Sequence, residues 1–151
     1  IGMVSKPVGK SDRSIAVQHF VFNFAVLMCQ LQVALIYFVS GWDKLTSEVW
    51  RTGEAFGIMS NLDFMFNPYF HEFVKDRFTN ATLSWVTIVF ELMFGALVWF
   101  NRTRTIMLLM GVAFHLIIAV TLSLYIFAAI MIVSYLIFLK DADLVFNKER
   151  R

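Results

Sequence analysis

The sequence predicts an all-α membrane protein: a polytopic helical bundle of about four transmembrane helices, with further interfacial helices in its first loop. Three observations carry that reading. Apolar residues make up 59% of the 151-residue chain and charged residues only 16%; with a mean hydropathy of +0.70, there is too little charge to coat a soluble domain. The apolar residues gather into long runs. The basic residues cluster between those runs. A formal net charge of +2, dispersed in this way, offers no basic face to a nucleic acid.

The chain opens on Ile1, and Lys6, Lys10 and Arg13 precede the first apolar run without a small-residue cleavage pattern. This is not a signal peptide. The first run, 19–40, has 22 residues, interrupted only by Asn23, Gln30 and Gln32. That length crosses a hydrocarbon core of about 30 Å at roughly 1.5 Å per residue. Cys29 lies within it as the single cysteine, so no internal disulfide forms, and it reads as a packed thiol. The loop 41–82 follows. Leu45–Ser60 reads as one helix, and Asn67-Pro68 marks a turn. Beyond it Phe70, Phe73, Val74 and Phe78 recur at helical spacing opposite Glu72, Lys75 and Asp76, the pattern of a helix lying flat at the interface.

The second span is 83–100, with Glu91 as its only charge. The 35 residues of 105–139 carry one ionisable group, His115. A single helix of that length would be about 52 Å long, well beyond the core, so two spans are expected, 105–121 and 124–139. No Gly or Pro marks the turn between them.

Four crossings put both tails and the 101–104 loop on one side, and these segments hold nine of the thirteen Lys and Arg. The remaining four share the 41–82 loop with six acidic residues. The positive-inside rule then sets both termini in the cytoplasm and the 41–82 loop outside.

Polar residues inside these spans are the candidate site. Asn23, Gln30, Tyr37 and Lys44 are each seven residues apart, so each is turned only about 20° from the last around a helix. Lipid gives polar groups no partners, so this seam faces protein or water. It is either interhelical hydrogen bonding, with Lys44 reaching to the headgroups, or the wall of a site. Glu91 and His115, both mid-span, are intramembrane ionisable residues of the kind that mark functional sites. They either pair with each other or line a buried cavity; the alternative is a structural hydrogen bond. His19 and His71 fall at interfaces and read as surface histidines. The sequence contains no P-loop, GxGxxG, nucleophile elbow or clustered set of metal ligands.

Tyr37-Phe38-Val39-Ser40-Gly41-Trp42-Asp43-Lys44-Leu45 and Trp50-Arg51-Thr52-Gly53-Glu54-Ala55, with Phe90-Glu91-Leu92 and Gly111-Val112-Ala113-Phe114-His115 further on, resemble the HTTM domain. This is the membrane part shared by vitamin K-dependent gamma-carboxylases and many bacterial proteins. The resemblance covers roughly 30–139 in family order. It implies that the chain is the C-terminal part of a larger HTTM bundle, because the family's preceding membrane helices and the carboxylases' soluble substrate domain have no counterpart here. It further implies Lys44 as the base that deprotonates a reduced quinone such as vitamin K hydroquinone, with His115 and Glu91 shaping the site. Asn23, Gln30 and Tyr37 would contribute the polar seam to cofactor binding. At Asp43 the chain departs from the animal enzyme, which has lysine there.

Two readings follow from the resemblance. In one, the chain is a maturation or modification factor of a bacterial inner membrane, acting on a lipophilic substrate or a membrane-delivered peptide, as in the group that resembles the membrane component maturing a sporulation-delaying peptide. In the other, it is a non-catalytic subunit that scaffolds a larger membrane complex. The lipid bilayer is a partner in both, and other membrane subunits, or the remainder of an HTTM bundle, are expected beside it.

Overall fold

A computed structural model describes residues 10–139 except 63 and 65. The tail charges Lys6, Lys140, Lys148, Arg150 and Arg151 lie outside the described residues. Helix α1 runs Lys10–Thr46, 37 residues, about 55 Å at 1.5 Å per residue. It overruns the expected 19–40 span at both ends because no proline interrupts it. It stops where Ser47 turns to extended backbone (ψ 129°).

The loop differs from the single helix expected over Leu45–Ser60. It is cut into the end of α1, a single turn α2 (Glu48–Arg51) and α3 (Ala55–Ser60). Gly53 makes the second cut at φ +77°, in the left-handed region. A Cβ there would also lie 2.5 Å from the Cα and Cβ of Ala81, so this position excludes a side chain on two counts.

Asn67 then caps a short 3₁₀ turn, Pro68–Phe70, by accepting from the Tyr69 N–H. Helix α4 (His71–Lys75) follows, and extended Asp76 separates it from α5 (Arg77–Leu97). The aromatic pattern expected to form one interfacial helix through Phe78 is therefore split. The Asp76 carboxylate accepts from the Thr79 N–H at 2.8 Å, a cap that starts the membrane helix earlier than residue 83. Phe73 and Phe78 stay exposed while Val74 is buried.

Helix α6 spans Asn101–Leu122 and α7 spans Tyr125–Ser134, continued by a 3₁₀ turn at Tyr135–Phe138. The chain reverses at Ser123, which takes a left-handed conformation at φ 55° without help from Gly or Pro. Three helices, Arg13–Thr46, Arg77–Leu97 and Asn101–Leu122, are long and apolar enough to cross a bilayer. Tyr125–Phe138 is a shorter apolar helix beside them. The described residues contain no strand. This is an all-α membrane bundle.

Helix α1 packs chiefly on α5, and Gly41 permits the approach: a Cβ there would meet the Leu92 Cγ and backbone N at 3.0 Å. Phe94 of α5 and Val98 at its C-terminal end are fully buried, and Tyr37 of α1 lies against Phe94 with ring centroids 4.0 Å apart. Leu109, Ile117, Ile126 and Val133 point outward, where lipid is the solvent. The N-terminal half of α1 is largely exposed within this chain, and Cys29 is exposed with it rather than packed.

Candidate functional site

The last turn of α1 brings Lys44 to the middle of α5. Its Nζ donates to both Glu91 oxygens, at 3.0 Å (Oε1) and 2.9 Å (Oε2). It also donates to the Ser40 Oγ one turn earlier, at 2.5 Å. The Trp50 ring of α2 completes this surround, its centroid 5.1 Å from Nζ, within cation–π range. The Glu91 side chain is 7% exposed and that of Lys44 19%. A carboxylate this buried needs a counter-charge, and Lys44 supplies it. Asp43 is exposed and takes no part, since adjacent helix residues do not share a face.

A second polar group sits one helical stretch away. The Tyr37 hydroxyl lies 2.5 Å from His115 Nε2 on α6 and also hydrogen-bonds the Tyr135 hydroxyl at the end of α7. His115 is 1% exposed. Its Nδ1 is buried without a hydrogen-bond partner.

Lys44, Glu91, Tyr37 and His115 line one cavity of about 240 Å³. Its remaining walls are mainly apolar. Trp50, Phe56 and Met59 contribute from the loop helices, and Leu122 and Leu124 from the α6–α7 turn. The loop is fixed to that turn through Asn67, whose side-chain amide donates to the Val120 carbonyl at 3.0 Å and whose backbone N–H donates to the Thr121 carbonyl at 2.8 Å. An engineered apolar cavity of about 150 Å³ accommodates benzene, so this one has room for a larger ring system with polar groups at hand.

The seven-residue seam divides. Tyr37 and Lys44 reach the cavity, whereas Asn23 and Gln30 are not among its lining residues. Gln30 donates from Nε2 to the Ile137 carbonyl at 2.7 Å, tying α1 to the 3₁₀ turn, and Asn23 is exposed. Glu91 and His115 do not pair with each other; Lys44 and Tyr37 take them separately. Three contributors were not named as site residues from the sequence: Ser40 and Trp50, which stand inside the quoted motifs, and Tyr135. An aromatic hydroxyl inside a strongly apolar stretch was the available signal for Tyr135. No group of His, Cys, Asp and Glu suited to a metal ion occurs among the described residues.

A sequence model of the family described as HTTM domain matches residues 9–142, most of the chain. No curated protein matches, and no solved structure does.

Proposed function

Since the chain belongs to the HTTM domain family, we propose that it is a membrane-embedded modification or maturation factor whose site is the Lys44–Glu91 cavity. One observation carries this reading: ionisable and polar groups from three helices, Lys44, Glu91, Tyr37 and His115, share one largely apolar cavity. Intramembrane charges are costly, and gathering them around a cavity is the arrangement expected of a site. The substrate is a lipophilic molecule or a membrane-delivered peptide, and the cavity faces the outer side of a bacterial inner membrane, with both termini cytoplasmic.

The chain's own contribution is to move a proton. Transfer from Lys44 Nζ to the Glu91 carboxylate, across a 2.9 Å bond, leaves a neutral amine and a neutral carboxyl. No net charge is created in the apolar surroundings. The amine lone pair is then available as a base toward the cavity. Ser40 and Trp50 hold Nζ in place during this exchange.

A reduced quinone such as vitamin K hydroquinone fits this donor set. The apolar walls suit its rings, while Lys44, Glu91 and Tyr37 suit its hydroxyls. When bound, it would supply an acidic hydroxyl that becomes oxygen-reactive once ionised.

The test is hydroquinone-dependent oxygen uptake by the protein in nanodiscs, measured above the rate of empty nanodiscs. Uptake by the wild type that falls at least a hundredfold in Lys44→Ala supports the reading, since general acid–base catalysis contributes about 10²–10⁴-fold. A wild type no faster than empty nanodiscs removes it.

A second reading, a non-catalytic subunit that scaffolds other membrane proteins, is favoured by a different observation. The same polar groups tie helices together: Lys44 joins α1 to α5, and Tyr37 joins α1 to α6 and to the end of α7. In that case Lys44→Ala would lower stability and assembly, and no hydroquinone chemistry would be found.

A further inference from the structure

The cavity lies where two helix pairs meet, α1 on α5 and α6 on α7. On its outer side it is roofed. Trp50, Phe56 and Met59 come from the loop helices and Leu122 and Leu124 from the α6–α7 turn, all of them half-buried. The Asn67 bonds to the Val120 and Thr121 carbonyls tie the loop to that turn. Among the described residues that line the cavity, two are exposed, Ile36 at 46% and Phe127 at 45%. They belong to different helices, α1 and α7, and they share a level. Ile36 precedes Tyr37, whose hydroxyl bonds His115, and the Phe127 ring lies 5.5 Å from the His115 ring.

That level is inside the apolar spans. Ile36 stands eight residues before Lys44, about 12 Å along the helix. Leu35 and Val39 beside it are exposed, as are Ile126 and Ile130 beside Phe127. Ile36 and Ser40 also wall a groove on the outer face of α1, which continues past Leu35 to Leu31. The cavity and a lipid-facing surface therefore share a rim. We infer that the cavity opens sideways into the bilayer between α1 and α7, with Ile36 and Phe127 as the two sides of its mouth, so that its ligand enters from the lipid and not through the roof. Hydrocarbon gives an extended peptide no partners for its backbone groups, so this path serves a small molecule already dissolved in the membrane. The two side chains limit what passes, which makes Ile36 and Phe127 specificity-determining residues. The inference rests on reading the cavity as a binding site, and it adds the route and the gate.

The experiment uses Trp50, which lines the cavity, as the sole tryptophan of a Trp42→Phe, Trp85→Phe, Trp99→Phe chain in nanodiscs. Three contact quenchers are compared. A phosphatidylcholine brominated in mid-acyl chain cannot leave the bilayer, and iodide cannot enter it. Free 1-bromonaphthalene reports occupation of the cavity from either direction. The bromolipid should quench Trp50 and iodide should not. Phe127→Ala should raise the bromolipid quenching constant and Ile36→Phe should lower it. Each shift should be about two- to tenfold, the change in population that goes with forcing one side chain off its rotamer. Opposite shifts separate gating from misfolding, which would move both variants the same way.

Bromolipid quenching that ignores both variants would come from lipid touching Trp50 outside the cavity, and it overturns the inference. Quenching by 1-bromonaphthalene without quenching by the bromolipid also overturns it, and leaves the cavity as a site entered by another path. If 1-bromonaphthalene gives no saturable quenching, the reading of the cavity as a binding site falls as well.

Discussion

Lys44 and Glu91, 47 residues apart in sequence, form a two-pronged ion pair between the end of α1 and the middle of α5, with both N–O distances at 3.0 Å or less. Gly41 makes it possible, because any larger residue would push α1 away from Leu92 and Glu91. Removing one partner strands the other in an apolar setting. Lys44→Met or Glu91→Leu alone should cost about 2 kcal/mol, less than the roughly 3–5 kcal/mol of a fully buried pair because Lys44 keeps some exposure. The double variant should recover most of that loss, since an apolar pair needs no counter-charge. Unfolding in detergent of the two single variants and the double variant measures this coupling. If the pair serves chemistry, the double variant will be stable and inactive.

Asp76 gives the protein a pH-dependent cap outside the membrane spans. The Thr79 backbone N–H, then the Thr79 hydroxyl, hold its carboxyl below the usual carboxylate range. A depressed folded value means that the contribution is present above the unfolded pKa of about 3.9 and is lost as pH falls through the lower folded value. Asp76→Asn keeps a capping oxygen without the charge. The wild type should therefore melt above Asp76→Asn at neutral pH, and the two melting curves should converge below about pH 4. A difference that persists unchanged at acid pH would assign the effect to something other than this carboxylate.

Gly53 carries two separable constraints, its φ of +77° and its contact with Ala81. Gly53→Ala should destabilise by about 2 kcal/mol, combining backbone strain with the clash. Adding Ala81→Gly removes the clash but leaves the strain, so the double variant should recover about half. Trp50, three residues earlier and stacked over the Lys44 ammonium, reports the local change through its fluorescence. A single variant as stable as the wild type would show that α2 tolerates a shift away from α5.

The membrane class and the ionisable residues were legible because both follow from lipid as a solvent. A bilayer penalises every charge, so Glu91 and His115 stand out in an apolar sequence without knowledge of their neighbours. Their partners were not legible. Glu91 meets Lys44 and His115 meets Tyr37 through helix-to-helix contacts that no local spacing encodes. The seven-residue seam reaches the cavity over only part of its length, at Tyr37 and Lys44. Asn23 shares the face with Tyr37 but lies on the stretch of α1 that no other described residue covers. The loop failed for a local reason, because the helical pattern of Leu45–Ser60 hides an extended Ser47 and a left-handed Gly53.

Tyr37 has the most to lose from a single-atom change. Its hydroxyl joins two partners, His115 Nε2 and the Tyr135 hydroxyl, and both are buried. Tyr37→Phe leaves two buried polar groups unmet and should cost about 2–6 kcal/mol at 1–3 kcal/mol per unmet group. Tyr135→Phe removes only the terminal hydroxyl and leaves the Tyr37–His115 bond in place, so about 1 kcal/mol is expected. The shorter ring of that variant still fits beside Gly111, where a Cβ would lie 2.5 Å from the native Tyr135 hydroxyl. Gly111→Ala, by contrast, should displace the Tyr135 phenol, and Tyr135→Phe should partly rescue it. Thermal unfolding of these variants in nanodiscs orders the effects. Equal losses for Tyr37→Phe and Tyr135→Phe would mean that the three groups do not act as one hydrogen-bonded series.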